Sequence, residues 1–483
     1  MKVLFVNPPR YYGLPVIRED RCEIVNRYLV NPPYSLVQIA SVLREYDQEV
    51  QLIDANCEDL PYPKIREEME KSYPDIVVFR FTPTTFEADM AIAKIAKSLN
   101  PKIMTVGLCW TLRSYAENIL KDNSDLDAYL VGEYGNYEVT FLNLVRALSG
   151  KCNLSGAKGV VFRRGENIIS TGPCTEEFDG ELPMPAYDLL PPLSKYYISP
   201  KHSRHSPFTV MYTSKGCPCN CIFCVVRKTK WRERPVKSIM KEITYLKDEH
   251  NLKCVFFLDE LFTMNRQRTV DLCRELIDKE VNLTWYCSTR VDRVDKELLE
   301  LMRKAGCEAI SFGIESGSQK ILDYARKKVK IEQAKEATKM VKDARIKTHL
   351  SFIIGLPGEN WSTFRETIGF VKETLPTMAQ FNVAVPYPGT RLYELAVEKD
   401  WIKKDLDWNQ LCHQTSIMRT DEMTTEELEK ARKMAYKSLY FNPAWIFENG
   451  KWMLKEPNDL LLIIRYYTKS LKNYLIHGMK HAH

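Results

Sequence analysis

Short runs of β-branched and aromatic residues alternate with amphipathic segments through the first 150 residues of the chain. The runs predict strands at residues 3–6, 50–53, 76–79, 103–106 and 128–131. Apolar residues at helical spacing predict helices between them, at residues 34–45, 64–72, 86–98, 112–121 and 138–148. Five successive βα units predict a doubly wound, flavodoxin-like (Rossmann-like) α/β sheet of parallel strands. Such a sheet binds ligands at the carboxyl ends of its strands.

The alternation resumes six times between residues 207 and 397. It predicts strands at residues 208–213, 254–258, 283–287, 309–312, 348–354 and 380–385. Six βα units rather than eight predict an open (βα)6 partial barrel, with its active site at the carboxyl ends of the strands. Residues 398–483 show helical spacing, including an amphipathic stretch at 424–440, and predict a C-terminal α-helical region.

The two alternating regions are joined by residues 151–206, which contain several glycines and prolines. We expect a linker of extended chain with one hairpin around Gly165, because proline cannot donate a backbone hydrogen bond to a sheet. The sequence therefore predicts four parts, which are a first domain at 1–150, this linker, a central domain at 207–397 and the helical region at 398–483.

Charge and composition narrow the functional classes. The 483 residues include 69 Lys and Arg against 63 Asp and Glu, and a net charge of +6 is too small to indicate a nucleic-acid partner. The amino terminus leads directly into a strand without a signal-peptide pattern, and no apolar run approaches the roughly 20 residues of a membrane span. We therefore expect a cytoplasmic protein whose 14 cysteines are reduced thiols or metal ligands rather than disulfides.

Three cysteines lie on one short segment after the first predicted strand of the central domain. Cys217, Cys221 and Cys224 have the spacing C-x3-C-x2-C, and closely spaced thiolates favour zinc or an iron–sulfur cluster. A zinc site would need Cys219 as its fourth ligand, and four thiolates within eight residues can hardly surround one ion tetrahedrally. We therefore expect a 4Fe-4S cluster, whose fourth iron is open to a further molecule, with Cys219 as a bystander.

The cysteine motif and the βα units after it resemble the radical S-adenosylmethionine (SAM) superfamily, in which the open iron binds SAM. This resemblance implies a SAM site formed by the motif and by residues at the strand ends. The implied residues are Phe223, Asp259, Glu260, Arg290, Glu315, Ile354 and Pro386. Two of them also have an ordinary structural interpretation, Asp259 as a helix cap and Arg290 as part of an ion pair.

The first domain resembles the cobalamin-binding domain that precedes many radical SAM domains. A Pro-Pro turn follows strand one, a second Pro-Pro opens the first helix, and a Gly-Glu element follows strand five. The resemblance implies that cobalamin contacts Asn7, Pro8, Arg10, Pro33, Arg80, Thr82, Gly107, Leu108, Cys109, Trp110, Gly132 and Glu133. The D-x-H-x-x-G loop of other cobalamin proteins is absent, so no histidine is expected on cobalt. The alternative is a flavodoxin-like scaffold that has lost its cofactor.

Together the two resemblances indicate a cobalamin-dependent radical SAM enzyme, a C-methyltransferase. They imply that a reduced cluster cleaves SAM and that the 5′-deoxyadenosyl radical removes a hydrogen atom from an unactivated carbon. Methylcobalamin then delivers a methyl group to the carbon radical, and a second SAM restores the methylcobalamin. The substrate, be it a peptide or protein, a lipid or a small molecule, is open, and we expect an external electron donor such as ferredoxin or flavodoxin. Two alternatives are a non-methylating enzyme for cyclisation, oxidation or carbon–carbon coupling, for example on lipids or tetrapyrroles, and a non-catalytic iron–sulfur redox sensor.

Near the end of the chain, residues 460–476 carry apolar side chains at helical spacing with basic residues between them. We expect this segment to pack as a helix that closes the open side of the barrel. The alternative is a peripheral contact with an anionic membrane surface.

Overall fold

The computed structural model describes residues 1–19, 23–24, 29–150, 153, 156–198, 205–403 and 406–455. Its first sheet contains β1 (Lys2–Asn7), β4 (Glu49–Asp54), β5 (Ile76–Arg80), β6 (Met104–Leu108), β7 (Ala128–Leu130), β8 (Val160–Arg164) and β9 (Asn167–Ser170). The strand order is β4-β1-β5-β6-β7-β8-β9. The first five strands run parallel, which confirms the predicted flavodoxin-like sheet, and the last two continue it antiparallel.

The expected hairpin around Gly165 is formed by β8 and β9, and its pairing with β7 carries the first sheet beyond residue 150. A second, short hairpin of β2 (Val16–Ile17) and β3 (Glu23–Ile24) follows β1. The helices of this half are α1 (Tyr34–Glu45), α2 (Ala55–Glu58), α3 (Tyr62–Ser72), α4 (Phe86–Leu99), α5 (Ala116–Asp122) and α6 (Tyr137–Leu148).

Both faces of the first sheet are buried. On β1, Val3 and Phe5 belong to one apolar layer, whereas Leu4 and Val6 belong to the layer on the other side. Parallel sheets with helices on both faces need apolar residues at every strand position, because successive side chains point to opposite faces. Polar side chains that could bind a ligand are therefore expected at the ends of these strands.

The second sheet has six parallel strands in chain order. They are β10 (Phe208–Met211), β13 (Cys254–Phe257), β14 (Thr284–Thr289), β15 (Cys307–Glu315), β16 (Lys347–Ile354) and β17 (Met378–Val383). The helices of this half are α7 (Val236–His250), α8 (Arg266–Asp278), α9 (Lys296–Lys304), α10 (Gln319–Tyr324), α11 (Ile331–Asp343), α12 (Trp361–Thr374) and α13 (Arg391–Glu398). The predicted (βα)6 partial barrel is confirmed.

A two-stranded hairpin lies between the first two strands of the barrel. Its strands are β11 (Ser214–Lys215) and β12 (Arg232–Glu233), which pair antiparallel and bracket the cysteine segment. The pattern of apolar residues did not predict this hairpin, since its four residues are all polar.

The edge of the barrel at β17 is covered by helix α14 (Thr425–Tyr440). The hydroxyl of Tyr436 accepts a hydrogen bond of 3.2 Å from the amide of Phe381. The hydroxyl of Tyr440 bonds both the amide and the carbonyl of Ala379, at 3.4 and 3.2 Å. These side chains satisfy backbone groups that an uncovered edge strand would leave to solvent or to another chain.

Helix α15 (Pro443–Lys455) follows α14, so the predicted C-terminal helical region is confirmed as far as residue 455. Its Trp445 is buried and donates to the carbonyl of Pro376 at 2.8 Å. The stretch 460–476, expected to close the barrel or to contact a membrane, lies outside the described residues. In the part of the chain that the structure describes, no helix is long and apolar enough to cross a bilayer.

Candidate active site

The three cysteines of the motif lie on one loop, residues 216–231 between β11 and β12, which we call the cluster loop. Gly216 opens the loop with a φ of +95°, and a Cβ at this position would collide with the carbonyl of Lys230, so the turn requires glycine. The amide of Cys217 donates to the hydroxyl of Thr229 at 2.8 Å, and the amide of Thr229 donates to the carbonyl of Cys217 at 3.0 Å. These bonds close the loop and fix its first cysteine.

The donor set of the cluster loop fits an iron–sulfur cluster better than zinc. Cys217, Cys221 and Cys224 are free thiols. Burial raises the pKa of the Cys221 thiol and raises that of Cys224 to about 12, so positive iron charge is needed to form the thiolates. Among the described residues, no three Cys, His, Asp or Glu side chains are placed around a single metal ion. A cubane does not need that convergence, because each cysteine binds a different iron.

Glu260 joins the cluster loop to the first sheet. Its carboxylate accepts a hydrogen bond of 3.1 Å from the amide of Gly216 and another from the hydroxyl of Tyr134. Tyr134 lies in the loop after β7, so one carboxylate contacts both halves of the molecule. The sequence resemblance placed Glu260 near SAM, and it did not identify Tyr134 as a partner.

A buried ion pair lies at the carboxyl end of β15. The Nζ atom of Lys327 is 2.7 Å from Oε1 of Glu315, and the two side chains are 10% and 9% exposed. Glu315 has a φ of 71°, a left-handed conformation that is strained for residues other than glycine and is common at functional sites. Gly313 makes room for the pair, since a Cβ there would collide with the Glu315 carboxylate.

Sequence reasoning identified Glu315 but missed Lys327. Lys327 follows the short helix α10 in a run of three basic residues, Arg326 to Lys328, and such a run is ordinarily solvated. Only the fold brings one of the three beside a buried carboxylate. The sequence therefore contains no pattern that identifies Lys327 as a site residue.

Arg290, after β14, holds the turn that carries Lys327. Its guanidinium forms a bidentate ion pair with Asp292 at 2.8 and 3.0 Å. It also donates to the carbonyls of Lys327 and Lys328 at 2.9 and 3.2 Å. The structural interpretation of Arg290 as an ion-pair partner is therefore confirmed, and its influence on a ligand would pass through the Lys327 turn.

Asp259 is fully buried and contacts Thr213 and Ser214, which precede the cluster loop in the sequence. Its carboxylate accepts hydrogen bonds from the amide and hydroxyl of Thr213, at 2.8 and 2.5 Å, and from the hydroxyl of Ser214 at 2.6 Å. The alternative interpretation of Asp259 as a helix cap is wrong, because the following helix α8 is capped by Asn265. The contacts of Asp259 fix the chain that leads into the cluster loop.

The apolar residues assigned to SAM gather at the same end of the barrel. Ile354 ends β16, and its carbonyl accepts a hydrogen bond of 2.8 Å from the amide of Ala384, two residues before Pro386. Phe223 of the cluster loop packs against an apolar cluster that includes Ala384 and Leu356. The structure therefore brings the cluster loop together with the ends of β16 and β17.

The residues assigned to cobalamin after β1 mostly hold the turn that contains them. Asn7 donates to Oδ1 of Asp54 at 2.7 Å, and the carbonyl of Pro8 accepts a hydrogen bond of 2.9 Å from Arg18. Arg10 extends to α2, where it donates to backbone carbonyls. These contacts give the edge of the sheet a fixed shape.

At the next strand end, Arg80 is buried, donates to the hydroxyl of Ser35 at 2.9 Å and lies 5.6 Å from the ring centre of Tyr137. Ser35 belongs to the first turn of α1, directly after Pro33 and Tyr34. The hydroxyl of Thr82 is hydrogen-bonded within its own turn. A cation, a ring and a helix start therefore meet at the carboxyl edge of the first sheet.

Three further candidates at the end of β6 are buried in the sheet. A Cβ on Gly107 would meet the ring of Phe81 at 2.8 Å, so this glycine allows close packing. Leu108 belongs to the apolar layer under α1. The carbonyl of Cys109 accepts a hydrogen bond of 2.5 Å from Tyr129, and burial raises the pKa of the Cys109 thiol to about 11.

Trp110 connects the first sheet to the cluster loop. Its indole Nε1 donates to the carbonyl of Val225 at 2.9 Å, and Val225 directly follows Cys224. The indole ring packs edge-on against Tyr134 with a centroid distance of 5.0 Å, and the guanidinium of Arg113 lies 3.7 Å from the ring centre on Trp110. The carboxyl edge of the first sheet is thus in direct contact with the cluster loop.

The Gly-Glu element after β7 contacts the hairpin that brackets the cluster loop. Glu133 forms an ion pair with Arg232 of β12. Lys215 of β11 is 3.3 Å from the carboxylate of Glu138 in α6. A Cβ on Gly132 would collide with the hydroxyl of Thr140 in α6. Sequence reasoning assigned this element to cobalamin and missed Arg232 as its partner.

Known proteins with similar sequences support the assignment of these two regions. The model of the radical SAM superfamily matches residues 211–371. An uncharacterized methyltransferase of Pyrococcus horikoshii is 32% identical over 475 residues, which cover 96% of this chain and 99% of the relative. The anaerobic magnesium-protoporphyrin IX monomethyl ester cyclase of Rubrivivax gelatinosus is 30% identical, and the matched residues cover 92% of this chain and 78% of that relative. The chain belongs to the cobalamin-dependent radical SAM enzyme family.

Solved structures show the fold of this radical SAM enzyme. The cobalamin-dependent SAM radical enzyme OxsB aligns with a TM-score of 0.74 over 100% of this chain and 74% of its own, at 18% identity. The radical SAM methyltransferase TsrM from Kitasatospora setae aligns with a TM-score of 0.67 over 90% of this chain and 81% of its own, at 16% identity. The predictions of fold, family and enzymatic nature are confirmed, and the redox-sensor alternative is not supported.

Proposed function

We propose that the chain is a cobalamin-dependent C-methyltransferase that acts on an unactivated carbon. The contact between Trp110 and Val225 carries the proposal. It sets the carboxyl edge of the first sheet, where sheets of this type bind ligands, against the loop with Cys217, Cys221 and Cys224. Methyl transfer between two cofactors needs such a shared space, from which solvent is excluded by the surrounding protein.

The cluster would be held by the three cysteines, and SAM would lie beside the ion pair at the end of β15. Glu315 presents a carboxylate suited to the ammonium group of SAM, and Lys327 presents an ammonium suited to its carboxylate. Arg290 holds the Lys327 turn in place. When bound, the cluster supplies the electron that cleaves SAM, and cobalamin supplies the carrier of the methyl group.

Cobalamin would lie at the carboxyl edge of the first sheet, next to Arg80 and Trp110. The first histidine in the sequence is His202, beyond the strands of this sheet, so the site fits cobalamin without a protein histidine on cobalt. The neighbours OxsB and TsrM are solved with cobalamin bound, which supports this assignment.

The proposed division of the chain follows from these sites. It assigns residues 1–150 to the cobalamin domain, 151–206 to the linker, 207–397 to the radical SAM domain and 398–483 to a C-terminal region, which is helical in its described part at residues 425–440 and 443–455. The hairpin of β8 and β9 adds part of the linker to the first sheet.

Because each reductive cleavage of SAM consumes one electron, an external donor of the ferredoxin or flavodoxin type would reduce the cluster again.

A second candidate function is a cobalamin-dependent radical reaction without methyl transfer. The 30% identity to the cyclase of Rubrivivax gelatinosus favours it, since that relative is named for a cyclisation. The product mass after incubation with methyl-labelled SAM distinguishes the two. A product that carries the labelled methyl group supports the methyltransferase. A product altered without label, formed together with 5′-deoxyadenosine, supports the alternative, and a protein that forms no 5′-deoxyadenosine contradicts both.

A further inference from the structure

The last two strands of the barrel, β16 and β17, carry most of their polar side chains on one face. On β16, Leu350 and Phe352 are fully buried in the core beneath the helices. His349 and Ser351, which alternate with them, are half-exposed. Because successive side chains of a strand point to opposite faces, His349 and Ser351 face the inside of the barrel.

These inward side chains form a band across four neighbouring strands, which we call the polar band. Its members are Ser288 on β14, Ser311 on β15, His349 and Ser351 on β16, and Gln380 and Asn382 on β17. Strand register places them side by side. The Ser311 hydroxyl is 3.5 Å from Nδ1 of His349, and Gln380 donates to Asn382 at 3.1 Å. The band offers hydroxyl, amide and imidazole groups, and Lys347, which lies on the same face of β16 two residues before His349, adds an ammonium group at one end.

The polar band begins next to the ion pair proposed to hold SAM. Gly313 lies two residues beyond Ser311 on β15, and the Glu315 carboxylate and the Lys327 ammonium lie over it. Two residues of a strand span about 7 Å. A molecule seated on the band would therefore present its atoms to the space beside the ion pair.

The inner face of the barrel also has apolar positions. They are Phe256, Leu258, Ile353 and Met378, each half-exposed. These side chains can cover the carbon skeleton of a ligand. They do not form a continuous apolar surface, because members of the polar band lie between Ile353 and Met378.

We propose that the polar band selects the substrate, and that the substrate is a small hydrophilic molecule with several hydrogen-bond donors and acceptors. A lipid or a tetrapyrrole would cover the band with hydrocarbon, and the donors and acceptors that are not used between members of the band would lose their contact with water, which is unfavourable. A polar substrate replaces the water on these groups with matched hydrogen bonds. This inference rests on the proposed function, because it concerns the molecule that the radical attacks.

The test uses the full chain, reconstituted anaerobically with cluster and cobalamin and given methyl-labelled SAM and a reductant. The probes are the aqueous small-molecule extract and the lipid extract of the cells that encode the chain. The readouts are 5′-deoxyadenosine formed above the basal rate and label recovered in each extract. The variant Gln380→Leu/Asn382→Leu removes two amides of the band at nearly constant size. The matched control Gln267→Leu makes the same change on the exposed face of α8.

We expect the aqueous extract to stimulate SAM cleavage and to receive the label, and the double variant to lose this stimulation by roughly tenfold or more. Its basal SAM cleavage, melting temperature and cobalamin content should match those of Gln267→Leu, which shows that it folds. Label in the lipid extract, no stimulation by the aqueous extract, or an unchanged double variant would overturn the inference. A wild-type protein without basal SAM cleavage would instead refute the proposed function, and this inference with it.

Discussion

The indole Nε1 of Trp110 donates a hydrogen bond of 2.9 Å to the carbonyl of Val225, the residue that follows the third cysteine of the cluster loop. Trp110 belongs to the edge of the first sheet, and Val225 belongs to the partial barrel. Tyr134 adds to the joint, because its ring packs on Trp110 and its hydroxyl binds Glu260. The position of the cluster loop relative to the first sheet therefore depends on a few side chains at one sheet edge.

Replacing Trp110 by Phe should loosen the cluster loop. The variant keeps an aromatic ring but loses the donor to Val225, so the free energy of unfolding should fall by about 1–2 kcal/mol. Hydrogen–deuterium exchange followed by mass spectrometry should show faster exchange in residues 216–231. The control is Trp445→Phe, which loses a comparable 2.8 Å hydrogen bond to the carbonyl of Pro376 and packs in an apolar cluster that contains no residue of this loop. Equal exchange in the two variants would show that Trp110 does not hold the loop.

The cluster assignment predicts iron binding of about four irons and four sulfides per chain after anaerobic reconstitution. Replacing Cys217, Cys221 and Cys224 together by Ala should abolish it, since these thiolates are the proposed ligands. Cys219→Ala, two residues away from the first ligand, should retain full iron and serves as the control. Iron and sulfide analysis decides the matter, and full iron in the triple variant would rule out the assignment.

The ion pair at the end of β15 should be sensitive to the loss of one partner. Lys327→Met leaves the Glu315 carboxylate buried without its cation, which should lower the free energy of unfolding by about 3–5 kcal/mol. Adding Glu315→Gln should recover part of that loss, because both charges are then removed. Urea denaturation measures the effect. As a control, Lys335→Met breaks the partly exposed pair with Glu373 and should cost about 1 kcal/mol or less. Equal effects of Lys327→Met and Lys335→Met would contradict the buried pair.

Much of the fold could be predicted from the chain because its periodicities are strong. Helix α1 was predicted at 34–45 and has these bounds, since it is amphipathic and begins after two prolines. The six strands of the barrel are apolar or alternating runs rich in β-branched and aromatic residues, and they were predicted in order. The hairpin of β11 and β12 was missed, because two-residue strands of polar residues have no period and form only through tertiary contacts.

The candidate site was predictable only where the chemistry lies in local spacing. The cysteine motif is such a case. The partners of Glu133 and Glu260 are Arg232 and Tyr134, which lie 99 and 126 residues away in sequence. No pattern in a single sequence reports a contact of that range. Lys327 could not be predicted for the same reason, because its pairing with Glu315 depends on a turn of unusual backbone conformation.

Glu359 predicts a pH dependence of stability. Its carboxyl lies in the turn after β16 and accepts a hydrogen bond of 2.6 Å from the amide of Gly355. Burial raises the pKa of Glu359 from 4.5 to about 7. The folded state therefore holds the proton more tightly than the unfolded chain, and stability should fall by about 3 kcal/mol as the pH rises from 4.5 through about 7.

The variant Glu359→Gln removes this titration while it keeps an acceptor for Gly355. Urea denaturation at pH 5 and at pH 8 should show that the variant gains stability relative to wild type at the higher pH. Glu366→Gln, on the exposed face of α12, is the control and should change neither value by more than about 0.5 kcal/mol. A wild-type protein whose stability rises over this range would contradict the burial of an uncompensated carboxyl group.

The central claim is that one chain holds SAM, an iron–sulfur cluster and a methyl-accepting cobalamin in a shared site. It can be tested without knowledge of the substrate. The reconstituted protein is incubated with methyl-labelled SAM and a strong reductant, and the cobalamin is then extracted and examined by mass spectrometry together with the nucleoside products. The account predicts labelled methyl groups in the cobalamin fraction and 5′-deoxyadenosine that depends on Cys217, Cys221 and Cys224. Formation of 5′-deoxyadenosine with no label on cobalamin would contradict methyl transfer.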